Sequence, residues 1–349
     1  MQTLNKVLQE DIAAVLADAS IPWSDLDGKT VLISGATGLI GGGLTTALLA
    51  YGETVSAPPT VVALVRNTDK ARQMFGDHPA LRLVRWSSGD TPDWDGDADY
   101  ILHCASQTSS KGFVEEPVQT IRTAYEGTEA LLRYAAEKQS AGFLFLSTME
   151  VYGTPQTDDK VGEDYIGLID PLTVRNCYPE SKRLCECLCA AYAKQYGLPA
   201  FVARLTQTFG PGVQPQDRRV FAEFARCVME QRDIVLHTKG ETKRNYLYTA
   251  DAVRALLLIA LRGAAGQAYN VANESTYCSI YEMATLVAEK VADGAIAVRC
   301  EIAEDTAKFG YAPVLHMNLD TQKLCALGWR PQQDLESMFR RMMMGFEEK

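Results

Sequence analysis

A short β-branched run, Thr30-Val-Leu-Ile-Ser34, passes directly into Gly35-Ala-Thr-Gly38-Leu-Ile-Gly41, and that turn opens an apolar stretch from Leu39 to Tyr51. A turn this tight lets backbone N–H groups and a helix N-terminus face a pyrophosphate. Three glycines alone would say little, but a strand before them and a helix after them make a dinucleotide-binding signature. The alternation then continues. Thr60 to Val65 reads as a strand, Asp69 to Phe75 as a helix, and Leu81 to Trp86 and Asp99 to His103 as strands. A long helix is expected from Glu116 to Lys138, a strand from Phe143 to Ser147, a helix from Tyr178 to Tyr196 and a strand from Ala200 to Leu205. Strands separated by helices at this spacing predict an α/β fold built on a doubly wound parallel sheet.

The sequence divides into three stretches. Leu4, Leu8, Ile12, Val15 and Leu16 fall at helical spacing over residues 3–17, so residues 1–28 read as a helical extension. Residues 29–205 form the Rossmann-type, dinucleotide-binding core. Beyond Arg204 the pattern loosens at Pro211, Gly212 and Pro215. Helices are expected at 217–231, 250–262, 279–291 and 334–348, with short strands between. Residues 206–349 therefore read as a smaller mixed α/β lobe, interleaved with the core.

Composition narrows the function classes. With 349 residues, 47% hydrophobic and 22% charged, the chain can bury a substantial core, and disorder is excluded. The longest apolar helical run, Ala255 to Leu261, is far too short to span a membrane, so no membrane partner is expected. The N-terminal residues carry acidic side chains where a signal peptide would be apolar, which predicts a cytoplasmic protein. A net charge of -10 argues against nucleic acid as a partner. Nine cysteines without a secretion signal imply a reducing compartment. Cys177, Cys185, Cys187 and Cys189 crowd together but contain no CxxC pair, and Cys187 should point away from Cys185 and Cys189 on a helix. His78, His237 and His316 are scattered, so no metal is expected.

Three further features carry chemistry. At the end of the second strand, an acidic residue would grip the ribose of NAD, but here stands Leu64-Val65-Arg66-Asn67. Arg66 could accept a 2′-phosphate or stack on adenine, which leaves NAD and NADP equally open. Tyr178-Pro-Glu-Ser-Lys182 places a tyrosine and a lysine on one helix face. A tyrosine acting as acid or base must fall from about 10 toward neutrality, roughly 4 kcal/mol for three units, which a neighbouring ammonium and a cationic nicotinamide could supply. The run Leu146-Ser-Thr-Met-Glu-Val-Tyr-Gly153 leaves a strand end, where ligands bind in open α/β sheets. Ser147 and Thr148 can offer hydroxyls to a substrate oxygen beside Tyr178, and Glu150 is a carboxylate at the same mouth. His103 reads as a packed strand-end histidine.

In this order the motifs resemble the extended short-chain dehydrogenase/reductases, and more narrowly the NAD-dependent epimerase/dehydratase family acting on nucleotide sugars. The resemblance runs from about Lys29 to Gly345 and includes Ala203-Arg204-Leu-Thr-Gln-Thr-Phe-Gly-Pro211, Arg244-Asn-Tyr-Leu-Tyr-Thr-Ala-Asp251 and Tyr269-Asn-Val271. It implies oxidation of the sugar C4 to a 4-keto intermediate, with Tyr178 as base, Lys182 on the nicotinamide ribose and Thr148 orienting the C4 oxygen. It implies cofactor contacts from Gly35, Thr37, Gly38, Leu39, Ile40, Gly41, Arg66, Cys104, Ala105, Ser106, Ser147, Tyr178 and Lys182. Thr148, Met149, Gln207 and Arg244 would meet a nucleotide-diphosphate sugar bound by the C-terminal lobe. Helices 116–138 and 178–196 correspond to those that build a homodimer interface in the family.

The departures separate the possible products. The 4,6-dehydratases carry Thr-Asp-Glu where this chain has Thr148-Met149-Glu150, and methionine cannot protonate a leaving hydroxyl, so dehydration is disfavoured. UDP-glucuronate decarboxylases resemble Thr-Ser-Glu with a Lys-Arg pair. Lys243-Arg244 fits that pair, and Met149 replaces the serine. Gln207 stands where the family commonly has asparagine. Epimerisation is therefore expected ahead of decarboxylation. A simple NADP-dependent carbonyl reductase and a catalytically silent cofactor-binding protein remain as alternatives.

Overall fold

The computed structural model describes residues 5–302 and 314–347. In chain order its first half contains α1 (Lys6–Leu16), β1 (Thr30–Ser34), α2 (Leu39–Gly52), β2 (Thr60–Val65), α3 (Thr68–Phe75), β3 (Leu81–Arg85), β4 (Tyr100–His103), α4 (Ser110–Glu115), α5 (Pro117–Glu137), β5 (Gly142–Thr148), β6 (Lys160–Val161), α6 (Cys177–Tyr196) and β7 (Ala200–Leu205). The second half contains β8 (Gln207–Phe209), α7 (Val220–Met229), β9 (Ile234–Leu236), β10 (Lys243–Tyr248), α8 (Thr249–Arg262), β11 (Gln267–Val271), β12 (Asn273–Ser279), α9 (Ile280–Leu286), β13 (Val298–Cys300), β14 (His316–Leu319), α10 (Gln322–Ala326) and α11 (Leu335–Glu347). Residues 3, 4 and 348, expected to be helical, lie outside the described residues.

Seven parallel strands form the main sheet in the order β11-β7-β5-β4-β1-β2-β3. Every residue of β1 and β5 is buried, as expected of central strands covered on both faces. The chain reverses direction across the sheet between β1 and β4, which opens a crevice at their carboxyl ends. A second sheet has the order β12-β10-β14-β6, with β8 paired to β10. Its aromatic core gathers Phe209, Phe221, Tyr246 and Phe339. The two sheets exchange chain: β11 and α8, from the second half, pack into the main sheet's core, while β6, from the first half, pairs with β14.

Two helices differ from expectation for local reasons. The long helix does not begin at Glu116. Pro117 occupies its first turn, Glu116 is pushed out of helical geometry (φ -131, ψ 52), and a separate short helix, α4, precedes it. The helix expected over 279–291 is α9, capped reciprocally by Ser279 and Glu282, followed by a wider π-type turn over Val287–Val291. The extension helix α1 is tied to the body by buried Asp11, which accepts from Tyr248 Oη at 2.7 Å and from Arg341 Nη2 at 2.7 Å. Among the described residues no helix is long and apolar enough to cross a membrane.

Candidate active site

The crevice at the switch point is a cleft of about 720 Å³, the size of a small-molecule site. The glycine turn forms its floor. Gly35 has φ +68, and a side chain there would come within 2.8 Å of the Ala105 backbone nitrogen. A Cβ on Gly41 would lie 2.3 Å from the Gly35 carbonyl oxygen. Gly38 caps α2 without any side-chain acceptor, so no side chain competes for the N–H groups that open the helix. An uncapped helix start on a backbone with no room for side chains fits a dinucleotide pyrophosphate. Thr37, Leu39 and Ile40 line the same cleft, as do Cys104, Ala105 and Ser106 from the loop after β4.

That loop is fixed from below. Ser34 Oγ pairs with His103 Nδ1 at 2.6 Å and accepts from Ala105 N at 3.1 Å, while His103 Nε2 lies 3.1 Å from Thr128 Oγ1. Burial pushes His103 down to about 3, with Lys182 adding to the effect, so the ring is neutral and structural. Burial also raises the Cys104 thiol to about 12. At the end of β2, exposed Arg66 lines the cleft with Asn67 and Lys70, and Lys70 Nζ donates to the Thr37 carbonyl at 3.3 Å.

The end of β5 and the start of α6 meet across this cleft. Tyr178 is only 9% exposed. Its ring lies against Phe113 of α4, and Thr148 is hydrogen-bonded to its phenol. The Thr148 hydroxyl also accepts from the Glu150 N–H at 3.3 Å. Lys182 Nζ donates to the Leu146 carbonyl at 2.7 Å and lies 6.0 Å from the Tyr178 ring centroid. Glu150 stands in the cleft wall, its carboxylate held by Arg175 Nη1 at 2.6 Å and Nη2 at 3.3 Å.

Three of these side chains have surroundings that the motifs do not show. The lysine does not bring the tyrosine toward neutrality in this state. Burial raises the Tyr178 phenol well above its ordinary value, the Glu150 charge raises it further, and only Thr148 and Arg175 oppose. Burial meanwhile pushes Lys182 itself down to about 8. Ser147 lines the cleft, but its hydroxyl proton goes to Glu186 Oε1 at 2.5 Å, in a network where Arg204 also grips Glu186. It is therefore not free to donate to a substrate oxygen. Arg244 is not among the residues lining the cleft. It sits in β10 opposite Cys278 and Met317, with its Nε buried and unpartnered.

Met149 and Gln207 also stand at the cleft. Met149 is buried, and its sulfur accepts from Thr206 Oγ1 at 3.3 Å, so no proton donor stands at that position. Gln207 lines the cleft from β8. Sequence reasoning missed Phe113, Lys70, Arg175 and Arg219. Arg219 reaches the cleft from the turn before α7, braced by Asp217 at 3.0 Å. The signals were Asp217-Arg218-Arg219 after a Pro-rich loop, and an arginine three residues before the tyrosine.

The family model described as the NAD dependent epimerase/dehydratase family matches residues 31–272. UDP-glucuronic acid decarboxylase 1 of Xenopus tropicalis is 28% identical over 326 residues, covering 93% of this chain and 74% of the relative. UDP-glucuronic acid decarboxylase 5 of Arabidopsis thaliana is 30% identical over 264 residues, covering 75% of this chain and 74% of the relative. Among solved structures, UDP-glucose 4-epimerase of Thermotoga maritima superposes with a TM-score of 0.76 at 21% identity, over 91% of this chain and 99% of that one. The dTDP-glucose 4,6-dehydratase of Streptomyces venezuelae gives 0.74 at 22% identity, over 92% and 97%. With its glycine turn, its strand-end hydroxyls and its Tyr-Lys helix in one cleft, the chain belongs to the NAD-dependent epimerase/dehydratase family.

Proposed function

We propose that this protein oxidises C4 of a nucleotide-diphosphate sugar with NAD(P), and that its substrate is a UDP-uronate that it decarboxylates. The observation that carries the reading is Glu150, a carboxylate in the cleft wall beside Tyr178, with no acid at position 149. Relatives that match nearly the whole chain include UDP-glucuronic acid decarboxylases, which supports the same choice.

When bound, the nicotinamide supplies the acceptor for the C4 hydride. The chain supplies the rest. The Gly35–Gly41 turn and the start of α2 hold the pyrophosphate. Thr148 holds the C4 oxygen, and Tyr178 takes the C4 hydroxyl proton. A ketone at C4 of a uronate makes the C6 carboxylate that of a β-keto acid. The C5–C6 bond breaks, carbon dioxide leaves, and the electron pair flows into the C4 carbonyl. Tyr178, now carrying the proton, stabilises the resulting enolate oxygen. A proton from solvent adds at C5, Tyr178 returns its own proton to the C4 oxygen as C4 is reduced, and the redox-neutral cycle consumes one proton for each carbon dioxide released. Arg219 is the lining guanidinium suited to the diphosphate.

A second reading, C4 epimerisation of the same uronate, is favoured by Met149, which stands where decarboxylases resemble serine. The test is incubation with UDP-glucuronate and either dinucleotide, followed by proton NMR. A UDP-pentose with released carbon dioxide supports decarboxylation. UDP-galacturonate without carbon dioxide supports epimerisation, and no turnover with any nucleotide sugar overturns both. We also infer a homodimer through α5 and α6, whose outer faces expose Val118, Ile121, Tyr125 and Leu184.

A further inference from the structure

Arg175 has no part in the chemistry above, yet it touches two neighbours of the reactive tyrosine, Glu150 and Phe113. It lies in the turn Val174–Asn176, immediately before α6. Both terminal nitrogens donate to Glu150, at 2.6 and 3.3 Å. Its guanidinium carbon lies 5.8 Å from the centroid of the Phe113 ring, the same ring that stacks on Tyr178. The adjacent Cys177 thiol donates to the Phe113 carbonyl at 3.3 Å, which fastens this turn to α4. Glu150, Phe113 and Tyr178 line the cleft, whereas Arg175 stands behind them.

We propose that Arg175 is a positioning residue for the C4 base: it turns the Glu150 carboxylate toward itself and offsets part of the charge that Glu150 presents to Tyr178. The proposal rests on the reading of Tyr178 as that base. The physical argument is short. A carboxylate beside a buried phenol opposes formation of the phenolate, and the opposition is strong where water is excluded. A fork-shaped guanidinium bound to both carboxylate oxygens offsets part of the charge and fixes its direction.

The groups facing Tyr178 are few. Glu150 comes from the turn after β5 and Arg175 from the turn before α6, while Lys182 and Cys177 share α6 with the tyrosine. From α4 comes only the Phe113 ring, since Lys111 and Glu115 pair with each other at the surface. Glu150 and Arg175 act on the phenol with opposite sign, and Glu150 raises it where Arg175 lowers it.

The test uses dinucleotide-loaded protein and two readouts. Tyrosinate absorbance, taken as each protein minus its Tyr178→Phe counterpart, reports ionisation of Tyr178. The pH dependence of nicotinamide reduction by UDP-glucuronate reports the kinetic consequence. Arg175→Gln should move the Tyr178 titration and the rising limb of the rate up by about one pH unit, or tenfold in rate at a fixed pH below the limb. Glu150→Gln should move both down. The double variant should return to the wild-type value or below it, and Arg175→Lys should rescue most of the shift. An unmoved titration in Arg175→Gln, or a double variant that stays with Arg175→Gln, overturns the proposal. Should Arg175→Gln fail to fold, Glu150→Gln decides, since an unmoved titration there also overturns it. If absorbance shifts as stated while UDP-glucuronate reduces no nicotinamide, the functional reading fails and this one stands.

Discussion

The ring of Tyr178 lies flat on the ring of Phe113, with 4.2 Å between centroids and 9° between planes. The proposed base is therefore covered on one face by α4, and its hydroxyl edge is left to Thr148 and the cleft. Tyr178→Phe preserves the stack and removes only the proton acceptor. Turnover should fall by about 10² to 10⁴, with dinucleotide affinity unchanged by calorimetry. Turnover at the wild-type rate would exclude Tyr178 as the base.

Phe113→Ala removes that cover. Burial is the largest cause of the raised Tyr178 phenol, so letting in water should lower its ionisation midpoint. The lost ring should also destabilise the fold by about 3 kcal/mol, measurable by denaturant unfolding. A Tyr178 titration at or above that of wild type would contradict the role given to α4.

Lys182 gives a pH signature of stability. Its folded value, about 8, lies below the ordinary lysine value of 10.5. Above pH 8 the unfolded chain keeps a proton that the folded chain releases, so stability from this group rises with pH up to 10.5 and the penalty is complete below 8. The difference in unfolding free energy between wild type and Lys182→Met should grow by about 1.4 kcal/mol per pH unit across that window. A flat difference would mean that the ammonium is not desolvated.

Met149 sets a negative expectation on product. It is buried and turned toward Thr206, so nothing at this position can protonate a hydroxyl leaving C6. No 4-keto-6-deoxy sugar should accumulate from UDP-glucose or dTDP-glucose. Such a product would show itself by absorbance in alkali and would require a proton donor from elsewhere in the cleft.

Arg66 and Lys70 stand where the adenosine ribose would lie, and among the described residues no acidic side chain lines that end of the cleft. Arg66→Ala should weaken NADP by about tenfold and leave NAD nearly unchanged, as measured by calorimetry of each dinucleotide. Equal loss for both would assign Arg66 to adenine stacking instead.

Most of the main sheet was legible because its strands are continuous apolar runs and its glycines sit where side chains would collide. The Tyr-Lys pair was legible because i and i+4 share a helix face. The environment of that pair was not. Phe113 is distant in sequence from Tyr178, and nothing in a short Ser-Lys-Gly-Phe-Val-Glu segment announces that it will fold over the base. The surroundings of Arg244 were not legible, because a motif fixes a residue's strand and not the direction of its side chain. The partner of Ser147 was hidden for a similar reason: Glu186 lies one turn beyond Lys182, and the sequence does not show that the hydroxyl pairs with it.

The exchange of chain between the two sheets bears on how this cleft can move and be divided. Because β11 completes the main sheet after β8 and β10 have entered the other, neither lobe is a contiguous segment. A cut after Leu205 would leave the main sheet without its edge strand and without α8 behind it, and would leave β14 without β6. Floor and roof of the cleft are thus braided rather than hinged on a single linker. A swing of one half against the other would have to bend several crossing segments at once rather than one linker.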